Sequence, residues 1–238
     1  MSSPTVVKPD QLSPARPRLL ITAVLALVVI AVSALAIGAV LGYRLAGPPN
    51  PSDGSAEAGF ARDMQTHHNQ AVQMALVIRD KTTDPTLRAV SYDIITSQQQ
   101  QSGQMYAWLT QWGLPQTSTE PPMAWMNARS AANPGGHDMS AMSPGATMAP
   151  GSALSPDGRM PGMASPADLI ALQQAAGRDA EVQFLTLMMA HHQAGVAMAR
   201  AVVPLTDRTE VRALAEAIAA SQTAEIEQMR TLLQTRQS

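Results

Sequence analysis

The sequence predicts an all-α protein, a four-helix bundle made of two repeated helical hairpins and preceded by one transmembrane helix. Three observations carry that prediction. Residues 19–43 form a run of 25 residues without a charge. Residues 60–109 recur at a constant offset of 124, with 16 identities in 50 aligned positions. Within each copy, apolar, Met and His residues return at the three- and four-residue spacing of an α-helix.

At the start of the chain, residues 1–18 carry Lys8, Arg16 and Arg18 and read as a cytoplasmic tail. At about 1.5 Å of rise per residue, the run 19–43 is long enough to cross a hydrocarbon core of about 30 Å. Basic residues precede it and Arg44 stands almost alone after it, so the positive-inside bias places the N-terminus in the cytoplasm. The expected location is the plasma (inner) membrane, crossed once, with the main domain outside the cytoplasm. A cleaved signal peptide is the competing reading, with Ala34, Leu35 and Ala36 as a small-residue site. Its apolar stretch is usually shorter, about 7–15 residues, and both readings export the chain from about residue 45 onward.

Residues 44–55 are a Pro/Gly/Ser-rich linker, with Asp53 or Ser55 as a helix N-cap. Residues 56–112 are the first hairpin. Its first helix runs from Glu57 to about Arg79, and Asp84 with Pro85 caps and opens a second that stops at Gly113. Residues 113–166 are a Met/Pro/Gly-rich loop that reads as largely irregular. Residues 167–238 are the second hairpin, broken at Gly177 and turning at Pro204 and Asp207. Neither hairpin can bury its apolar stripe alone, so residues 56–112 and 167–238 close into one bundle domain, with the loop as crossover.

Composition narrows the chemistry. Cysteine is absent, which removes disulfides, zinc-cysteine sites and cysteine nucleophiles. A net charge of −2 with no Lys/Arg-rich block gives no nucleic-acid footprint. There are 15 Met against 2 Phe, 3 Tyr and 3 Trp, so thioethers replace aromatic rings as bulky apolar material. Methionine is adaptable core filler, and its soft sulfur also suits Cu(I) and Ag(I).

At about 100° per residue, Phe60, Met64, His67, Ala71, Met74 and Ile78 share one stripe. In the second copy that stripe holds Phe184, Met188, His191, Gly195, Met198 and Val202, with His68 and His192 on the flanks. On the partner helices Gln98 shares a face with Met105, and Gln222 with Met229. A core that receives imidazoles, thioethers and amides is unusual, because each buried polar group left without a partner costs about 1–3 kcal/mol. Two readings stand side by side. In one, each His bonds Gln98, Gln222 or a backbone carbonyl and so fixes how the hairpins pair, while Met fills space. In the other, His67, His68, His191 and His192 bind a metal with Met64, Met74, Met105, Met188, Met198 and Met229, and imidazole with thioether favours copper, especially Cu(I).

The loop is a second candidate, with His137, Met139 and Met142 as further ligands. Met123 with Met126, Met139 with Met142, and Met160 with Met163 repeat one spacing, and Met148 lies between them. Compositional drift in a low-complexity linker would give the same pattern. A di-iron oxidase would need core Glu residues and Glu-x-x-His pairs, which are missing. No nucleophile elbow and no phosphate loop is present, so no enzyme is expected.

The pattern Phe-x3-Met-x2-His-His-x5-Met-Ala, then Ile-x3-Gln-x6-Met, resembles the bacterial family called domain of unknown function 305. It is carried by Phe60, Met64, His67, His68, Met74, Ala75, Ile94, Gln98 and Met105. It returns as Phe184, Met188, His191, His192, Met198, Ala199, Ile218, Gln222 and Met229. The resemblance covers about residues 55–235 apart from the loop. It implies a ferritin-like bundle, export, and metal binding at the four histidines with nearby Met, since the family includes members associated with periplasmic copper. The second copy keeps the family's Gln-x2-Glu-Ile as Gln222, Glu225 and Ile226, and the first departs from it with Gln101 and Ser102. The expected function is a membrane-anchored, extracytoplasmic Cu(I)- or Ag-binding protein that sequesters or transfers the ion in metal homeostasis. The alternative is an envelope structural or interaction domain in which the motif only stabilises the bundle. An envelope protein or a second copy of the chain is the further partner envisaged.

Overall fold

The computed structural model describes residues 16–46, 49–127 and 154–237, which form two compact units divided at Asn50. The described part is helical throughout, with no strand among the described residues. In the first unit, α1 spans Arg16–Ala46. Its segment Ile21–Gly42 has a mean hydropathy of 2.9 over 22 residues. That is long and apolar enough, at about 1.5 Å per residue, to cross a membrane.

The second unit holds α2 (Ala56–Lys81), α3 (Pro85–Gln111), α4 (Pro166–Gln174), α5 (Gly177–Val202) and α6 (Thr209–Gln237). Local chemistry sets their ends. The Ser55 hydroxyl accepts the Ala58 N–H to start α2. The Asp84 carboxylate accepts two N–H groups at the start of α3, whose first residue is Pro85. Ser165 and Asp168 cap α4 reciprocally, and Gly177 (φ +54) re-aims the chain into α5. Pro204, lacking an N–H, lies in the short 3-10 turn that ends α5.

Helices α2 and α3 form one hairpin, α5 and α6 the other, and α2 packs on α5. Equivalent residues of the two repeats make reciprocal contacts. The Thr206 hydroxyl, in the turn of the second hairpin, donates to Glu57 at the start of the first (2.8 Å). In turn Thr82, in the turn of the first hairpin, donates to Glu181 of the second. Glu181 also accepts from Arg236, whose guanidinium reaches Asp84 at 2.7 Å. Each repeat therefore holds the other's turn.

The apolar core divides in two. One cluster contains Phe60, Met64, Met105, Leu109, Met198 and Ile218, and the other contains Ile78, Leu87, Ile94, Phe184, Met188 and Met229. Helices α2 and α5 run antiparallel, so the N-terminal half of one meets the C-terminal half of the other in each cluster. The described ends of the crossover close over these helices. Met123 N–H and the Trp125 indole donate to the Asp63 carboxylate at 2.7 and 2.8 Å. On the return, the Gln70 amide brackets Ala164, accepting its N–H and donating to its carbonyl. Between them Gly162 (φ +75) presses on α5, where an added Cβ would lie 2.6 Å from the Ala190 oxygen and 3.1 Å from His191 Cα. Residues 159–165 thus form a strap across α2 and α5 at the level of the histidines.

Gly162→Ala should lose about 1–3 kcal/mol, because it adds left-handed strain to a backbone clash. Gly103→Ala, in open space on α3, should gain about 0.5–1 kcal/mol. Denaturant unfolding of the two variants checks both signs.

Candidate metal centre

Between the two apolar clusters lies a polar belt. α2 contributes His67 and His68, α5 His191 and His192, α3 Gln98 and Gln101, and α6 Gln222 and Glu225. All four histidines are 0% exposed, and Gln98 and Gln222 are 1% exposed. Helix α2 packs on α5 at this level. The rings of His67 and His191, equivalent residues of the two repeats, meet there with centroids 3.7 Å apart. The His192 ring lies 6.3 Å from that of His191. Gly195, where the first repeat has Ala71, leaves room for the Gln222 amide, which a Cβ would meet at 2.3 Å.

The outer histidine of each pair is held across its own hairpin. His68 Nε2 bonds Gln101 Oε1 at 2.7 Å, and His192 Nε2 bonds Glu225 Oε2 at 2.6 Å. The Glu225 carboxylate only accepts, so His192 Nε2 donates to it, whereas the Gln101 amide can present either its oxygen or its NH2 group to His68. The histidine partners expected from sequence, Gln98 and Gln222, are not the ones used. Those amides remain without partners, because the residue level with each outer imidazole is three positions further along the partner helix.

The rest of the belt is left unsatisfied. Both nitrogens of His67 and His191, Nδ1 of His68 and His192, and the amide N and O of Gln98 and Gln222 have no partner. Buried polar atoms in folded proteins are nearly always paired, and a group of orphans signals an ion, a water or a catalytic role. Burial depresses the imidazole pKa values, with the neighbouring histidines adding to the effect: His67 is lowered to about 3 and His191 well below its ordinary value. His68 is lowered to about 4, again chiefly by burial, with the Gln101 bond opposing. The Pro161 carbonyl of the strap opposes the shift at His67 without meeting either nitrogen in good geometry. These three imidazoles are thus neutral near pH 7, the form that ligates a metal.

The six expected thioethers lie on both sides of the belt in matched trios. Met64, Met105 and Met198 lie in one apolar cluster, and Met74, Met188 and Met229 in the other. All six are at most 1% exposed. No group of three or more His, Asp or Glu side chains among the described residues is disposed to hold a metal alone. Imidazole and thioether are the donor types that suit a soft cation, and both are buried at and beside the belt. Sequence reasoning missed Gln101 and Glu225 as histidine partners, and the strap at Pro161 and Gly162. It also left the loop methionines unplaced. Met123 and Met160 are buried in the cluster of Met64, with Met126 and Met163 packed against it. His137, Met139, Met142 and Met148 lie outside the described residues.

The family model described as Domain of unknown function (DUF305) matches residues 57–233. Among solved structures, the DUF305 protein of Streptomyces coelicolor is 37% identical, with 79% of this chain and 97% of that one covered and a TM-score of 0.64. A DUF305 fragment from Deinococcus radiodurans is 30% identical, with coverage of 79% and 99% and a TM-score of 0.57. CopM in its Cu(II)-bound form is 25% identical, with coverage of 76% and 97% and a TM-score of 0.54. No curated protein matches the chain.

The depressed pKa values make the metal-free fold sensitive to acid. The unfolded chain takes up protons below about pH 6.5, whereas buried His67 and His68 do not until about pH 3 and 4. The stabilising contribution is complete above pH 6.5 and is lost as pH falls towards those values, at about 1.4 kcal/mol per unit of depression for each group. Melting temperatures measured with a chelator between pH 7 and 4.5 should fall, and a His67→Gln, His191→Gln variant should show a shallower slope. An equal slope in both would refute this assignment.

Proposed function

This chain belongs to the family described as Domain of unknown function (DUF305), and from that premise we propose that it binds copper as Cu(I), or silver, in the histidine belt. The observation that carries the reading is the concentration of orphaned nitrogen and oxygen atoms around the His67–His191 contact. Neutral imidazoles flanked by thioethers are the donor set of a soft monovalent cation, whereas calcium and magnesium require oxygen ligands. CopM, which shares the fold, was solved with Cu(II) and, after soaking, with Ag. Ligands come from His67, His68, His191 and His192, with Met64, Met74, Met105, Met188, Met198 and Met229 as candidate co-ligands. The apolar helix α1 serves as a membrane anchor, with Lys8, Arg16 and Arg18 keeping the N-terminus in the cytoplasm and the bundle outside. The protein then sequesters the ion or hands it on, as part of metal homeostasis.

The second reading treats the belt as a structural lock in an envelope domain. The His68–Gln101 and His192–Glu225 bonds favour it, since each ties together the two helices of a hairpin.

Titration of the detergent-solubilised full chain with Cu(I), against a chromophoric chelator, separates the two. The metal reading expects binding at defined stoichiometry and at least about a tenfold loss of affinity in His67→Ala, His191→Ala, with helicity retained. The lock reading expects unchanged copper affinity and the same fall in Tm with and without metal.

A further inference from the structure

The belt has matched histidines but unmatched partners. At the repeat offset of 124, Gln101 corresponds to Glu225, so His68 faces an amide where His192 faces a carboxylate. That one exchange acts first on the position of the proton. An amide can turn its NH2 group toward the ring, which lets His68 place its proton on either nitrogen. A carboxylate only accepts, so it holds the His192 proton on Nε2 and keeps the lone pair on the buried, unpartnered Nδ1. The charge-assisted bond also makes that imidazole the better donor.

The exchange also changes the charge. A cation taken into a site where every imidazole is 0% exposed loses its hydration, which costs several kcal/mol unless a counter-charge is close. Glu225 is the one carboxylate bonded to a belt imidazole among the described residues, and its side chain is 19% exposed against 0% for His192. One carboxylate balances a monovalent ion and leaves a divalent ion with a net positive charge.

We propose that Glu225 is the positioning residue that makes the His191–His192 half of the belt the primary site and sets its preference for a monovalent soft cation. The His67–His68 half, backed by Gln101, is secondary. This inference rests on the copper reading above and adds to it which half binds first and why.

The test uses the full chain in detergent, with Glu225→Gln, Gln101→Glu and the double exchange. The first variant should fold, since Gln101 shows that the equivalent place accepts an amide. Two readouts are taken: Cu(I) and Ag(I) affinity by chelator competition, and the histidine tautomers of the metal-free protein by 15N NMR. Glu225→Gln should weaken Cu(I) about 10–100-fold and release the fixed Nε2–H tautomer of His192. The double exchange should restore affinity and move the first resonances perturbed by metal from His192 to His68. A purely structural role would change melting temperature while leaving tautomer, affinity and order of filling alone. Wild-type binding that Glu225→Gln leaves within twofold overturns this inference and spares the copper reading. Absence of Cu(I) binding by the wild type overturns both.

Discussion

The structure depends on one constraint: a belt of neutral imidazoles and amides held in the middle of an apolar bundle. Ten buried atoms there lack partners, and at about 1–3 kcal/mol for each unsatisfied group the arrangement is expensive by any account. It persists because the surroundings offset it from both sides. The clusters built on Phe60 and Phe184 bury large apolar side chains next to the belt. The reciprocal Glu57–Thr206 and Glu181–Thr82 bonds fix the far ends of the helices. With both ends held, α2 and α5 stay packed together and the rings of His67 and His191 stay in contact. A ligand bound at the belt, as proposed above, would offset part of that cost.

The repeat explains why the donors come in matched sets. The two hairpins supply Phe, Met, His, His, Met and Gln twice at one offset, and antiparallel packing of α2 on α5 interleaves them. Met64 of one copy thereby joins Met198 of the other, while Met74 joins Met188. Two trios of thioethers on either side of one imidazole layer are what a two-fold relation between hairpins must produce.

Much of this was legible in the sequence because it is local or periodic. Ser55, Asp84 and Pro85 announce helix ends through chemistry confined to four residues, and the stripe through Met64, His67 and Met74 comes from helical geometry alone. The offset of 124 then implied the pairing of hairpins. What sequence did not disclose depends on level rather than on face. Gln98 and Gln101 are both plausible partners for a histidine across the hairpin, and only the packed distance between α2 and α3 selects Gln101. The strap was opaque for another reason. Pro161, Gly162 and Ala164 lie in a segment whose composition suggests irregularity, and their contacts with Gln70, Ala190 and Ala194 have no periodic signature.

The strap also shows why matched histidines need not be equivalent. One crossover joins the hairpins, so the strap is built once, whereas the helices beneath it are built twice. Its Pro161 carbonyl faces His67, while Gly162 presses on the backbone of α5 beside His191. The Gln101–Glu225 exchange adds a second difference on the opposite flank. In a homodimer of one hairpin both differences would be forbidden, since every residue would appear on each side of the axis. A single chain is free of that restriction: the histidines and methionines keep their two-fold relation, while the groups that bond the outer histidines differ. The belt is thus symmetric in its histidines and methionines and asymmetric in the groups that bond the outer imidazoles.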